Sequence, residues 1–326
     1  MKPATFLVIG GAGYIGSHLV KALIEQQHQV VVVDNLSAGK ASAVLGGELI
    51  VNDFEDRAFL DTLFKQHQFS GVFHFASQIV VSESVKDPGK YYRANTAATL
   101  TLLEALRDRQ AGPLVFSSTA AVYGEPLYTP INEQHPTNAV NPYGRSKLMV
   151  EQMLADFASA YQQKYIALRY FNAAGADPQA RIGEQHDPET HLIPLVLQAI
   201  TGKRPPLQLF GQDYDTPDGT CIRDYIHVDD LASAHILAMN YLNNGGESGV
   251  FNLGNGLGYS VNEVIQTASN VTGKDVPRTY APRRAGDPAR LVADATLAKN
   301  TFGWQPKYSE LSEIIQHAWA WELAKN

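Results

Sequence analysis

The segment Gly10-Gly11-Ala12-Gly13-Tyr14-Ile15-Gly16 constrains this chain more than any other. It follows a β-branched apolar run, Thr5 to Ile9, and opens an amphipathic stretch, Tyr14 to Gln27. A strand that runs through a glycine turn into a helix offers backbone N–H groups and a positive dipole end to a pyrophosphate. Gly10, Gly13 and Gly16 lack the side chains that would keep such a ligand away, and Tyr14 and Ile15 belong to the same turn. Asp34 ends the next strand-like run, Val30 to Val33, with Asn35 beside it. An acid there hydrogen-bonds a ribose diol and repels a 2′-phosphate, which favours NAD over NADP. Asp53 follows the run Leu49 to Val51 and is placed to accept from an adenine amino group. Taken alone it reads as a solvated strand-end acid.

The first half of the chain keeps the same rhythm. Strand-like runs at Gly71 to Phe75, Leu114 to Ser117 and Tyr165 to Tyr170 alternate with helical patterns at Arg57 to His67, Tyr91 to Arg109 and Pro142 to Ala160. Continuous apolar strands separated by helices predict a parallel sheet covered on both faces. After about residue 176 Pro and Gly become frequent, as in Asp177-Pro178, Asp187-Pro188 and Arg204-Pro205-Pro206. Helical patterns still recur at Val228 to Asn243 and Val261 to Val271, with a strand-like run at Val250 to Leu253. The expected fold is α/β: a Rossmann-type doubly wound parallel sheet with a smaller, mostly C-terminal α+β substrate lobe. The expected division is a dinucleotide-binding domain over residues 1–176, a return of about 225–255 to it, and a substrate lobe over 177–326.

Composition narrows the partners. The 326 residues carry a formal net charge of −7, with no basic excess to replace the counterions of a nucleic acid. Cys221 is the single cysteine, so no internal disulfide or cysteine-based zinc site is possible, and it reads as an inert buried thiol. No run approaches the roughly 20 apolar residues of a membrane helix, and the start lacks the apolar core and cleavage site of a signal peptide. The expectation is a soluble cytoplasmic protein with no membrane partner. His186, Asp187, Glu189 and His191 invite a metal reading, but their spacing matches no standard zinc motif, so they read as a polar loop with no metal.

Tyr143 and Lys147 form the only Tyr-x-x-x-Lys in the chain. Roughly one sequence in two of this composition contains such a pair, so the spacing carries little by itself. On a helix, i and i+4 share one face. An ammonium there favours phenolate and would lower the tyrosine toward neutrality, making it a proton shuttle. The plain alternative is a partly exposed Tyr beside a snorkelling Lys.

Order along the chain separates these readings. The glycine turn comes first, then Ser117-Ser118-Thr119 at a strand end, then Tyr143 and Lys147. This arrangement resembles the short-chain dehydrogenase/reductase superfamily, in its extended branch acting on nucleotide sugars. Within that branch the chain is similar to the UDP-glucose 4-epimerase family over nearly its whole length. The segments that carry the similarity include GGAGYIGSH, VVVDNLSAGK, FSSTAAVYGE, NPYGRSK, ALRYFNAAGA, ETHLIPLVLQ, LFGQDYDTPDGTCIRDYIHVDDLA and RRAGDPARLVAD.

The resemblance implies reversible C4 inversion of a UDP-hexose, UDP-galactose to UDP-glucose, through a transient 4-keto sugar with tightly bound NAD. It implies Tyr143 as acid/base, Lys147 on the nicotinamide ribose and Thr119 hydrogen-bonded to the sugar O4. It adds Phe75, Ala76, Ser117 and Tyr170 to the cofactor positions. It places Phe171, Asn172, His191, Leu192, Phe210, Arg223, Arg284, Asp287 and Leu291 around the UDP-sugar. It also implies a homodimer through Tyr91 to Arg109 and Pro142 to Ala160.

Four departures stand out. Thr119 replaces a usual Ser, Ile79 a Lys, His191 an Asn, and Leu291 a Tyr of strict hexose epimerases. Leu291 leaves N-acetylhexosamine substrates open; pentose and uronate 4-epimerases, or another NAD-dependent nucleotide-sugar oxidoreductase, are the alternative activities. Ala120 and Ala121 stand where related 4,6-dehydratases carry Asp-Glu, which argues against elimination of water.

Overall fold

The computed structural model describes residues 3–284 and 287–325. Its centre is a seven-stranded sheet whose pairings are all parallel. Six of its strands are β1 (Thr5–Ile9), β2 (Gln29–Asp34), β3 (Glu48–Val51), β4 (Gly71–His74), β5 (Leu114–Thr119) and β6 (Tyr165–Tyr170). The seventh is Gly249–Leu253, and the spatial order is Gly249–Leu253, β6, β5, β4, β1, β2, β3.

Alternation along each strand explains why the runs are apolar throughout. Phe6, Val8, Val30 and Val32 face one core, where α1 (Tyr14–Glu25) and the helix Val228–Asn243 supply Leu19, Leu23, Leu231 and Met239. Leu7, Ile9, Val31 and Val33 face the other, against α2 (Arg57–Gln66) and the helices Ala98–Arg109 and Pro142–Tyr161. The chain leaves the sheet after β6 and comes back to it. Gly249–Leu253 pairs with β6, Phe251 opposite Leu168, after Val228–Asn243 has packed against α1.

One expected helix differs from its pattern. Within Tyr91 to Arg109, Tyr91 ends a short helix, Pro88–Tyr91, Tyr92–Ala97 is wound as a wider π-helical turn, and the α-helix proper runs from Ala98. That turn points the buried Asn95 amide inward. Its Nδ2 donates to Gln78 O and Ser146 Oγ, both at 3.0 Å, and its Oδ1 accepts from Gln78 N at 2.8 Å. Such turns inside α-helices are frequent at functional sites.

Beyond the sheet, a separate core forms where Leu192–Ile200, Val261–Thr272 and Leu311–Ala324 pack together. Short strands flank it. Leu207–Phe210 pairs with Arg278–Ala281, and Ile222–Arg223 lies between Tyr259–Ser260 and Arg290–Leu291. Among the described residues, no helix is long and apolar enough to cross a membrane.

Candidate active site

The glycines of the turn do three different jobs. Gly10 has φ +80°, and a Cβ on it would lie 2.4 Å from Ala76 N. A Cβ on Gly16 would lie 2.2 Å from Gly10 O, so α1 can close on the turn only with glycine there. Gly13 is otherwise open, a Cβ meeting only Gly10 O at 3.4 Å. Gly13 also begins α1 without a side-chain cap, leaving helix N–H donors for a ligand. Asp34 is buried at the end of β2. Its Oδ2 accepts from Ala12 N and its Oδ1 from Leu36 N, each at 2.9 Å. Each oxygen keeps further acceptor capacity. Asn35 Nδ2 donates to Asp53 Oδ2 at 3.0 Å, so these two polar residues meet at neighbouring strand ends.

Phe75 and Ala76 follow β4, and both backbone N–H groups donate to Ile9 O. Tyr14 turns its ring away from the turn, its hydroxyl donating to Gly175 O at 2.7 Å. Ile15 packs against the core. Only the backbone of these two residues faces the turn. A cradle that excludes Cβ atoms, an uncapped helix start and a strand-end carboxylate together fit a dinucleotide.

The second group lies at the end of β5. Asn141 caps the following helix, its Oδ1 accepting from Gly144 N at 2.8 Å, with Pro142 in the first turn. A Cβ on Gly144 would sit 2.5 Å from Ala121 O. That close approach carries Tyr143 to Thr119, whose Oγ1 accepts from Ala121 N at 3.1 Å. Lys147 is buried one turn on; its Nζ donates to Ser117 O at 2.9 Å and lies 4.7 Å from the Phe116 ring centroid. Ser117 Oγ is hydrogen-bonded to the Tyr170 hydroxyl.

Electrostatics here depart from the expectation drawn from the spacing. Burial raises the Tyr143 phenol, with the Thr119 hydrogen bond pulling the other way. Burial also pushes the Lys147 ammonium down to about 7, opposed by Glu151. The protein's own residues therefore bring the lysine, not the tyrosine, to neutrality.

Glu151 continues the face of Tyr143 and Lys147 by one more i+4 step. It accepts from Ser118 Oγ at 2.5 Å and from Arg169 Nε at 2.9 Å, all three residues being buried. This support was readable from the 143, 147, 151 spacing.

The sugar-side positions fall into smaller groups. Phe171 and Leu291 pack together against Ala120, Val122, Tyr123 and Ile131, directly beyond Thr119. Asn172 Nδ2 donates to Asp224 O at 3.0 Å. Arg223 Nη2 donates to Asp287 Oδ1 at 3.0 Å, and Arg284 stacks 4.0 Å above the Phe210 ring. His191 ends the loop before Leu192–Ile200 and is not a core histidine. Its Nδ1 is bonded to Glu184, which outweighs burial and raises it to about 9. Ile79 is partly exposed beyond β4, and Cys221 is buried, which pushes its thiol up.

A family model, that of the NAD dependent epimerase/dehydratase family, matches residues 6–254. This chain belongs to the NAD-dependent epimerase/dehydratase family. Among other members, the UDP-glucose 4-epimerase of Halalkalibacterium halodurans is 52% identical over 315 residues, 97% of this chain and 94% of its own length. A crystal structure of UDP-glucose 4-epimerase from Brucella ovis in complex with NAD is 49% identical, with a TM-score of 0.95 over 97% of both chains. The UDP-glucose-4-epimerase of Stenotrophomonas maltophila, solved with bound NAD and formylated UDP-arabinopyranose, is 42% identical. Its TM-score is 0.95, covering 99% of this chain and 98% of that one. The Rossmann-type parallel sheet expected from the glycine turn and the strand–helix rhythm is thus the one observed, and it matches these epimerase structures.

Proposed function

We propose that this chain interconverts UDP-galactose and UDP-glucose by inverting C4 of the hexose, with NAD retained between turnovers. The observation that carries the reading is the convergence of Thr119, Tyr143 and Lys147 at the end of β5, two strands across the sheet from the glycine turn. Bound NAD supplies a reversible two-electron acceptor, and its cationic ring favours phenolate nearby. Tyr143 takes the proton from the sugar 4-hydroxyl, Thr119 holds O4, and Lys147 steadies the phenolate on the nicotinamide-ribose side. The 4-keto sugar turns over while UDP stays held, and Tyr143 returns the proton. Orientation by these fixed side chains supplies much of the rate.

The turn of Gly10, Gly13, Tyr14, Ile15 and Gly16 holds the pyrophosphate, with Asp34, Asn35 and Asp53 on the adenosine. Phe75, Ala76, Ser117 and Tyr170 line the rest of the cofactor. Arg223 and Arg284 offer planar donors to the diphosphate, Phe210 covers the uracil, and Phe171, Asn172, His191, Leu192, Asp287 and Leu291 complete the sugar nucleotide site. Residues 1–176 with 225–255 form the cofactor domain, and the remainder of 177–326 closes over the sugar nucleotide. Leu100, Met149 and Tyr161 are exposed on the two helices of the proposed homodimer contact, which supports that contact; a monomer by light scattering at micromolar concentration would refute it.

The test is conversion of UDP-galactose to UDP-glucose without added reductant. Tyr143→Phe lowers kcat about 10²–10⁴-fold while UDP still binds; near-normal turnover in that variant overturns the mechanism. A panel adding UDP-N-acetylgalactosamine, with Leu291→Tyr as control, fixes the substrate range. Leu291→Tyr is expected to reduce the N-acetylated substrate selectively.

A further inference from the structure

Glu184, His186, Glu189 and His191 converge in the loop ahead of Leu192–Ile200, with one donor atom from each within 4.8 Å of all the others. The spacing had pointed to Asp187 as the neighbour of the two histidines; folding brings Glu184 there in its place. His186 Nδ1 lies 3.0 Å from Glu184 Oε1, and His191 Nδ1 contacts the same oxygen. Glu189 Oε1 completes the group, 3.9 Å from His186 Nδ1 and 3.8 Å from His191 Nδ1.

Hydrogen bonding within the group leaves one atom unexplained. The Glu189 side chain is only 6% exposed; its Oε1 accepts from Thr190 N at 2.7 Å and His191 N at 2.9 Å, while its Oε2 has no hydrogen-bond partner. A buried carboxylate oxygen without a donor is costly. A cation among the four residues, bound through Oε2 after a rotation of the Glu189 carboxylate, removes that cost. Tetrahedral bonds of roughly 2.0–2.2 Å set donor atoms about 3.3–3.6 Å apart, within the spread seen here after small side-chain shifts. An ion would displace the proton that His191 holds against Glu184; the two carboxylates and two neutral imidazoles then carry a charge of −2, which a divalent ion balances. Mixed imidazole and carboxylate donors suit zinc better than calcium or magnesium, which prefer oxygen alone. The His191 side chain is 43% exposed, so an ion has a way in from solvent.

We propose that Glu184, His186, Glu189 and His191 form a structural binding site for a divalent transition-metal ion, zinc being the best match. Four protein donors close the coordination sphere, which makes the site structural rather than catalytic. Its neighbours show what it would brace. Tyr14, from the cofactor turn, packs edge-on to His186 at 6.2 Å, and Trp321 Nε1 donates to Glu184 O at 3.1 Å. The loop then enters Leu192–Ile200 through His191 and Leu192. The ion would tie together the start of α1, the helix Leu311–Ala324 and the loop leading to the sugar nucleotide. That last link, and it alone, rests on the function proposed above.

The experiment uses the purified full-length protein with its NAD. It is dialysed against EDTA and then against buffer, and titrated with zinc chloride by calorimetry. Metal content is measured by mass spectrometry, and Tm with and without zinc. One zinc per chain and a Tm that rises with free zinc are expected. Glu189→Gln should weaken zinc binding by more than the roughly 10–100-fold that even an outer partner of a ligand costs. His186→Asn is the second variant, should Glu189→Gln fail to fold by circular dichroism. Folded wild-type protein that takes up no stoichiometric zinc overturns the site. So does wild-type zinc affinity in both folded variants. Zinc uptake without sugar-nucleotide turnover would sink the proposed reaction and leave the site standing; turnover without zinc uptake would do the reverse.

Discussion

Among the described residues two lysines are buried, and they are treated in opposite ways. Lys21, on α1, is 6% exposed and sits between carboxylates: Asp177 Oδ1 at 2.8 Å and Asp229 Oδ2 at 2.8 Å. His18 Nδ1 adds a 2.6 Å contact to Asp229. Burial alone would raise Asp229, but His18 and Lys21 hold it down at about 2. Lys147 is 2% exposed and contacts a backbone carbonyl and the face of Phe116, with Glu151 acting on it without an ion-pair contact. Burial therefore drives it down to about 7. A compensated buried charge joins distant segments of chain; an uncompensated one is a cost the fold tolerates where chemistry needs it.

Exchanging each lysine for an isosteric apolar residue tests the contrast. Lys147→Met should lower kcat on UDP-galactose about 10²–10⁴-fold while stability in denaturant stays level or rises at neutral pH. Lost stability with retained turnover would show that Lys147 is architectural after all. Lys21→Met takes the shared cation from buried Asp177 and half-buried Asp229, leaving Arg181 and His18 as their partners, and should cost about 1–3 kcal/mol of unfolding free energy. Turnover per folded molecule should stay near wild type; a large fall in kcat without loss of stability would break the comparison from the other side.

Smaller effects follow from pH. The folded-state value of Lys147 lies below its ordinary 10.5. The unfolded chain then binds more protons between about 7 and 10.5, so stability rises with pH across that window. The advantage of Lys147→Met over wild type should shrink between pH 7 and 10 in parallel denaturation curves. Asp229 has the same sign at the acid end, its folded value also lying below the ordinary one, here 3.8. The stability it contributes is present above about pH 4 and lost as pH falls toward 2. Lys21→Met should show a weaker acid loss over that range; identical acid curves would mean that Lys21 contributes little to holding Asp229 down.

How far the sequence could show this depends on whether the signal is local. The central sheet was legible because Val30 to Val33 must be buried on both faces, and Thr119, Tyr143 and Lys147 were legible through their order along the chain. The Lys21 centre was not. Its partners lie 156 and 208 positions away, and nothing near any of the three marks them as a set. Asp224 was hidden for the same reason. Its carboxylate accepts from the N–H groups of Asn255, Gly256 and Ala293, three points brought together only by folding. Glu184 was missed because in a folded-back loop proximity does not follow spacing, whereas Glu151 was readable on its helix face. The π-turn at Tyr92–Ala97 left no trace in hydrophobic periodicity, since it answers to the polar contacts of Asn95.

The hydrogen bond from Ala12 N to Asp34 Oδ2 bears on how this protein could acquire a different coenzyme. On the proposed reading, Asp34 recognises the ribose of NAD, and it also props up the turn that receives the pyrophosphate. Removing it to admit a 2′-phosphate would take away an internal support along with the repulsion. A switch to NADP therefore has no single-step route through Ala or Gly. It requires a replacement that still accepts from Ala12 N, such as Ser or Asn, with a nearby cation added separately. Intermediates along any other path would lose the old coenzyme before gaining the new one.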